Sequence, residues 1–417
     1  MPASDAAVVV DLLPEAGLTA LAEAGPIDVV AGVHVANQAG HIVDVLDTVA
    51  SALEEHSASG RAGVLVADGG SQDGTPDVVR AWCESGTPAA PRHCLDVIAP
   101  KHRGRAIVAL LLAGQRLGAR AMVLLDADLT GVRKDWLHAL LEPVLRQEAD
   151  YVLPAYSRTV SEGTLTTNLL APLTRALYGA RIQQVMGGCA GLAGAVVGPW
   201  LEAGVETGEW QPHGAELWLT TAALASDARL VEVHLGRKVV TPGGPQPDLA
   251  TILVRTVGPL FALMGRYQTA WLDRTGSAPV PRRGDACDVQ ADARSAATEQ
   301  MVRAFDLGLK DLLPVWEQIM PEPTLARLYP LALLAPDEFR LPPPLWARVV
   351  SDFAVAYHER RLPRDHLLRA LAPLYLGRVA AFIVEARATR LERIPEIFEK
   401  IDRAFEAEKE HLVARWR

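Results

Sequence analysis

The sequence predicts an α/β domain built on a doubly wound sheet, followed by an all-helical C-terminal domain. Between residues 27 and 153, strand-like apolar runs alternate with helical periodicity through short connections. That is the pattern of βαβ units and a parallel sheet. Beyond residue 291 only helical periodicity remains. The third observation is Val123-Leu124-Leu125-Asp126-Ala127-Asp128, an apolar run that breaks off into two carboxylates. Open α/β sheets bind ligands at the carboxyl ends of their strands. Alternation along an extended chain turns Asp126 and Asp128 to one side. Taken alone, Asp-x-Asp fits a pair of solvated or helix-capping aspartates equally well.

Residues 1–25 read as a helical lead-in. The first strand is 27–35, Asn37 to Gly40 a turn, and 41–55 a helix with Ile42, Val45, Leu46, Val49 and Leu53 on one face. A second strand, 63–67, runs into Asp68-Gly69-Gly70-Ser71-Gln72-Asp73-Gly74-Thr75 and a helix over 76–84. Strands at 95–99 and 122–125 flank a helix over 105–118, and a helix over 136–148 precedes a strand at 149–153. There follow a Thr- and Leu-rich helix (164–178), a Gly-rich stretch (187–191), a helix near 216–225, a strand near 230–233 and a helix over 249–273. The expected first domain is 1–275, with halves meeting near residue 130. Residues 276–290, basic and Pro-rich, read as a linker, and 291–417 as the helical domain. There Trp346, Val349, Val350, Phe353, Ala354 and Tyr357 make one apolar stripe, expected to be core, in a domain expected to form a homo-oligomer.

Composition narrows the function. With 417 residues the chain exceeds one typical domain. Its 49% hydrophobic and 22% charged content is that of an ordinary globular protein. A net charge of −9 with no basic stripe argues against general nucleic-acid binding. Cys83, Cys94, Cys189 and Cys287 are not closely spaced. Neither a zinc site nor a disulfide framework is indicated, and a reducing cytoplasm fits. The N-terminus is acidic, unlike a signal peptide. No apolar run reaches the ~18 residues that a membrane span needs.

Three segments carry chemistry. Asp126 and Asp128 offer hard oxygen donors suited to a phosphate-holding Mg2+ or Mn2+. The glycines of 68–75 let backbone approach a ligand closely. Asp68 could accept bonds from a base or ribose, while Asp73 and Thr75 read first as helix N-caps. The segment is not Gly-x-Gly-x-x-Gly, which disfavours a dinucleotide fold. Lys101-His102-Arg103-Gly104-Arg105-Ala106 sets cations on a turn before a helix. Such a turn suits a nucleotide's base and phosphates, or is a solvated basic loop.

In order and spacing these segments resemble the nucleotide-diphospho-sugar (GT-A, Rossmann-like) fold of family 2-type glycosyltransferases. Val30 to Gln38, with Val35, Asn37 and Gln38 at its end, resembles their first strand and turn, with Asn-Gln where Asn-Glu is usual. Residues 67–75 resemble Val-Asp-Asp-Gly-Ser-x-Asp-Gly-Thr, and Arg103-Gly104-x-Ala106 resembles Lys-Gly-x-Ala. Asp126-Ala127-Asp128 resembles the metal-binding Asp-x-Asp. Further along, Gln183-Gln184-Val185-Met186-Gly187-Gly188 resembles a stretch of the retaining glycerate glycosyltransferases. That group comprises mannosylglycerate synthase and the glucosyl- and mannosyl-3-phosphoglycerate synthases. His213-Gly214-Ala215-Glu216 resembles their Gly-x-(Asp/Glu) motif, and Thr166-Thr167 before Pro172 their acceptor-binding helix start. Residues 346–358 and 374–378 look most like the tail of mannosylglycerate synthase.

The resemblance implies retaining transfer of a hexose from GDP-mannose or UDP-glucose to D-glycerate or a similar hydroxy acid, as in compatible-solute synthesis, with Mg2+ or Mn2+. It implies Asp128 as metal ligand, Asp126 on the ribose or the metal's water, and Asp68 and Arg103 on the nucleoside. Gly187 and Gly188 then leave room for the sugar, Glu216 orients it, and Thr166 and Thr167 hold the acceptor carboxylate. Two departures stand out. The family's third metal ligand, a histidine, aligns with Val240, and His234 is the nearest histidine. The phosphoglycerate enzymes carry an arginine where Thr164 aligns, which favours an unphosphorylated acceptor unless Arg158 or Arg175 substitutes. Alternatives are 3-phosphoglycerate as acceptor, a lipid or polymer acceptor, or a nucleotide-sugar binding protein without activity.

Overall fold

Among the described residues eleven strands form, in chain order β1 (Val29–Val35), β2 (Ala62–Asp68), β3 (Arg92–Leu95), β4 (Ala121–Asp126), β5 (Tyr151–Thr159), β6 (Ala180–Arg181), β7 (Cys189–Ala193), β8 (Leu230–Arg237), β9 (Ala278–Pro279), β10 (Arg282–Arg283) and β11 (Val289–Gln290). The computed structural model describes residues 12–56, 60–86, 91–95, 97, 101–205, 214–241, 247–285, 289–290 and 297–417. It divides into two units. The first comprises Met1–Tyr156, Met186–Gln246 and Pro281–Asp285; the second comprises Ser157–Val185, Pro247–Val280 and Ala286–Arg417.

The first unit is built on one sheet, ordered β10-β8-β5-β7-β4-β1-β2-β3. The strands β1 and β4, apolar but for His34 and the terminal Asp126, are buried throughout their length. Parallel strands covered on both faces read this way. β1 pairs in parallel with β2 on one side and with β4 on the other. The register sets Val35 beside Asp68 and His34 beside Asp126. Two acidic strand ends thus flank the end of the central strand.

Most expected elements form, including helices Ile42–Glu54, Thr75–Glu84, Arg103–Arg116 and Lys134–Leu145. The lead-in helix is Glu15–Ala24. Four expectations change. The third strand is Arg92–Leu95 rather than 95–99, because pairing with β2 begins at Val64 opposite Arg92; of the later residues, 96, 98 and 99 lie outside the described ones. The sheet is mixed rather than wholly parallel. The Gly-rich stretch enters strand β7, which runs antiparallel to both β4 and β5. Glycine is what this strand needs: a Cβ on Gly191 would lie 2.2 Å from the Leu140 carbonyl oxygen. An unanticipated helix, Gly194–Val205, follows it. Finally, the fold brings the Cys83 and Cys94 thiols into hydrogen-bond contact, which raises the Cys83 pKa. Cys83, Cys94 and Cys189 are thiols not joined in a disulfide, and Cys287 lies outside the described residues.

The second unit is mainly helical. The expected stripe on Pro343–His358 is buried, but so are Leu345, Ala347, Ser351, Asp352 and Val355. This helix is therefore central rather than amphipathic. Leu249–Arg266 and Arg364–Arg387 are long and apolar enough to cross a membrane by length and composition. Of their apolar windows, 50% and 72% are buried inside the protein.

One arginine organises part of this unit. Arg175 is buried, and its guanidinium meets Glu399 at 2.7 Å, Asp402 at 3.1 Å and Glu406 at 2.9 Å. The acids recur at three- and four-residue spacings along Ile394–Trp416 and so share a face. The cation does not satisfy all three equally. Hydrogen bonds from Arg175 hold Glu399 down to about 2. Burial, with Glu399 and Glu406 beside it, pushes Asp402 up to about 6 despite Arg175. Asp402 therefore takes up a proton more readily folded than unfolded. Its favourable contribution is present below the ordinary carboxylate pKa and is lost as pH rises through about 6. Asp402→Asn should raise the calorimetric melting temperature at pH 7.5 by roughly 2–4 °C and change it little near pH 4. A lower value at pH 7.5 contradicts this reading.

Candidate active site

The site lies in the first unit, where β1 and β4 end. Asp126 closes β4 and is buried. Its backbone N–H donates to the Gly188 carbonyl at 2.7 Å, which ties the Asp-x-Asp turn to the Gly-rich stretch. Arg103, the first residue of helix Arg103–Arg116, forks between two acids. Its Nη1 is 2.7 Å from Asp126 Oδ2, and its Nη2 pairs with Glu216 in the first turn of helix Gly214–Ala225. Burial opposes the Arg103 charge, yet Glu216 and Asp126 raise its pKa above the ordinary value. Burial likewise opposes ionised Asp126, yet Arg103, His34 and the Asp128 N–H hold its carboxyl below the usual range.

Two further cationic or imidazole groups join them. His34, on β1, has Nδ1 3.8 Å from Asp126 Oδ1. Ligand atoms of His34, Asp126 and Glu216 lie within 4.8 Å of one another, close enough to share one metal ion. Lys238, just after β8, lies 5.6 Å from the Tyr156 ring centroid, and its charge acts on Asp126. Sequence reading did not assign either residue. His34 was legible as an inward strand position one residue before Val35; Lys238 stood two residues from Val240.

Asp128 stands beside this group. Its N–H donates to Asp126 Oδ1 at 3.0 Å, and its Oδ1 accepts from Gln38 Nε2 at 2.7 Å. Gln38 is itself buried and fixed, its N–H donating to Thr75 Oγ1 at 2.8 Å. Asn37 adopts φ +64°, a left-handed turn that asparagine tolerates. Its Oδ1 accepts from the Gln72 N–H at 2.7 Å. Asp68 accepts from the Ser71 hydroxyl at 2.6 Å and the Ser71 N–H at 3.0 Å, so it shapes its own loop. Thr75 begins its helix and Gly74 is the N-cap; Asp73 accepts from the Thr75 N–H at 2.9 Å. Val35 is buried in the core, and its carbonyl accepts from the Gly69 N–H at 2.7 Å.

Gly188 has φ +83°, and its N–H donates weakly to Glu216 Oε2 at 3.4 Å. Gly187 packs so closely that a Cβ would lie 2.1 Å from Pro154 Cγ. His234 lies on β8 with Gly284 packed against it, outside the His34–Asp126–Glu216 group. His213 lies outside the described residues.

The expected acceptor residues belong to the second unit. Thr166 opens a π-helical turn, Thr166–Leu170. Such turns often mark functional positions. Thr164 Oγ1 is 2.8 Å from the Tyr375 hydroxyl, and the Thr167 hydroxyl faces the Gly163 carbonyl at 3.4 Å. Arg158 reaches Gln184 Oε1 at 3.5 Å. Arg175 does not serve this segment, being committed to its three acids.

Residues 41–211 match the family model described as glycosyl transferase family 2. No curated protein matches the chain. Among solved structures it is similar to the glucosyl-3-phosphoglycerate synthase of M. tuberculosis, at 20% identity over 60% of this chain and 84% of that one, TM-score 0.41. It is similar to the mannosyl-3-phosphoglycerate synthase of Rubrobacter xylanophilus, at 18% identity over 62% and 76%, TM-score 0.37. A third is the mannosyltransferase PcManGT of Pyrobaculum calidifontis in complex with GDP-Man and Mn2+, at 17% identity over 96% and 93%, TM-score 0.31.

The arginine fork should be structural as well as functional. Arg103→Met leaves two largely buried carboxylates facing each other without their cation. Removing one partner of a buried pair costs roughly 3–5 kcal/mol. Chemical denaturation in chelator should show a loss of that order. A loss within error of zero would mean that the fork does not hold the site together.

Proposed function

We propose that this chain, which carries a glycosyl transferase family 2 domain, moves a hexose from GDP-mannose or UDP-glucose to D-glycerate or a similar small hydroxy acid, with retention at the anomeric carbon. The observation that carries the reading is the convergence of Asp126, Glu216 and Arg103, with Asp128 adjacent, at the carboxyl end of β4. The carboxylates meet around a cationic group, and their hard oxygens fit Mg2+ or Mn2+. Asp128, with Asp126, would hold that ion, which offsets charge on the leaving diphosphate.

The remaining roles belong to the chain's own side chains. The Asp68 loop and Arg103 would hold the nucleoside. Glu216 fixes the sugar hydroxyls, and Gly188 lets the sugar lie against backbone. Retention without an assigned nucleophile favours front-face attack, in which the leaving phosphate accepts the acceptor's hydroxyl proton. Thr166 and Thr167 take the acceptor carboxylate with neutral donors. A phosphate dianion prefers an arginine fork. Thr164 stands at the aligned position, and Arg175 is engaged elsewhere.

Steady-state kinetics across a panel of nucleotide sugars and acids test this. Asp128→Asn should lower kcat by about 10²–10³ with donor and acceptor saturating; near-normal turnover with Mn2+ present refutes the assignment. D-glycerate should show a higher kcat/KM than 3-phosphoglycerate. The opposite preference would assign phosphate binding to a residue such as Arg158. Calorimetric binding of a nucleotide sugar without turnover on any acceptor would identify a binding protein instead.

A further inference from the structure

We infer that His56 and His138 form a second cation site on the first unit, selective for a nitrogen-preferring divalent ion such as Zn2+ or Ni2+. His56 follows helix Ile42–Glu54, and His138 lies in helix Lys134–Leu145. His56 Nε2 and His138 Nδ1 face each other at 2.7 Å, with ring centroids 4.6 Å apart. The opposite nitrogen of His138, Nε2, is 2.8 Å from Glu55 Oε2. An ionised carboxylate only accepts, so in the neutral ring Nε2 carries the proton and Nδ1 is bare. That bare nitrogen points at His56. A single shared proton, on His56 Nε2, joins the rings; an ion takes its place once His56 carries its proton on Nδ1.

The surroundings are those of a ligating imidazole. A metal-bound histidine usually donates its other N–H to a carboxylate, which fixes tautomer and orientation. Glu55 does this for His138 and is in turn held by Lys134 Nζ at 3.2 Å. Burial, then the adjacent His138, lowers the His56 pKa and favours its neutral form. Glu142, one turn beyond His138, acts electrostatically on His56 and pairs with Arg146 at 2.7 Å. The two imidazoles would be the protein ligands, with water completing the shell. Metal–nitrogen bonds of about 2.0–2.1 Å in tetrahedral geometry separate two ligating nitrogens by roughly 3.3 Å. The rings must therefore part slightly from 2.7 Å, and the His138 side chain is 34% exposed. Imidazole pairs suit Zn2+, Ni2+ or Cu2+, whereas carboxylates suit Mg2+ and Mn2+. This site is thus chemically distinct from that at Asp126, and its ion would link two helices that pack together.

The test titrates ZnCl2 into the metal-stripped full chain with saturating Mn2+ present, read by calorimetry and by thermal melting. The wild type should bind one Zn2+ per chain and melt at a higher temperature. His56→Gln and His138→Ala should each weaken binding at least tenfold and remove the thermal shift. Glu55→Gln keeps both rings and should weaken binding roughly 10–100-fold. Zn2+ affinity unchanged in both histidine variants, or no Zn2+ binding by the wild type in the tens-of-micromolar range, overturns the inference.

Discussion

The ion pair of Arg103 with Asp126 and Glu216 is the interaction on which the candidate site depends. The two acids lie on separate elements, the end of β4 and the start of helix Gly214–Ala225. Both are largely removed from water, and two carboxylates so placed repel each other. A cation between them turns that repulsion into attraction on both sides. Arg103 is suited to this because a planar guanidinium presents several donors in a fixed fork. The lysine usual at this position in related motifs offers one point charge. The fork also orders the surrounding backbone, since Asp126 in turn bonds to Gly188 and the Asp128 N–H.

The sheet supplies the second constraint. Gly187 and Gly188 lie in the connection immediately before β7. Here β7 pairs antiparallel with β4, which delivers the Gly188 carbonyl to the Asp126 N–H. This arrangement requires small residues. The Leu140 carbonyl lies against Gly191, and a Cβ on Gly194 would fall 1.7 Å from the Ala119 carbonyl oxygen. Gly191 and Gly194 thus allow close packing between strand and neighbouring backbone.

In the second unit the comparable centre is Asn168. Its carbonyl accepts from Trp346 Nε1 at 2.6 Å, and its Oδ1 accepts from Arg378 Nε at 2.9 Å. Its amide nitrogen donates to the Thr164 carbonyl at 3.1 Å and to Thr167 Oγ1 at 3.2 Å. Buried polar groups need partners, and this residue obtains them from three helical segments. The π-helical turn fits that demand, because its extra residue per turn redirects side chains. Arg378 is buried, and burial lowers its pKa to about 10 against the opposing charge of Glu385.

Local chemistry made much of this protein legible in its sequence. Unbroken apolar runs ending in acids identify parallel strands with a site at their carboxyl ends, because a strand covered on both faces must be apolar until it leaves the sheet. Spacings of three and four residues located the helices, and Asp126, Asp128, Asp68, Arg103 and Glu216 stood out as charges or acids beside turns and glycines. Other features depend on partners far away in the chain. That β7 is a strand, that β3 begins at Arg92, that His34 faces Asp126, and that Arg175 is spent on three acids follow from pairing across the sheet and between helices. Periodicity reports which face of an element is apolar, not what that face or its charges will meet. The sequence by itself determined the alternation of strands and helices up to β5 and the chemical character of the candidate site. Tertiary structure decided which of those charges neutralise one another, because the energy of a buried charge depends on neighbours within a few ångströms, whatever their distance along the chain.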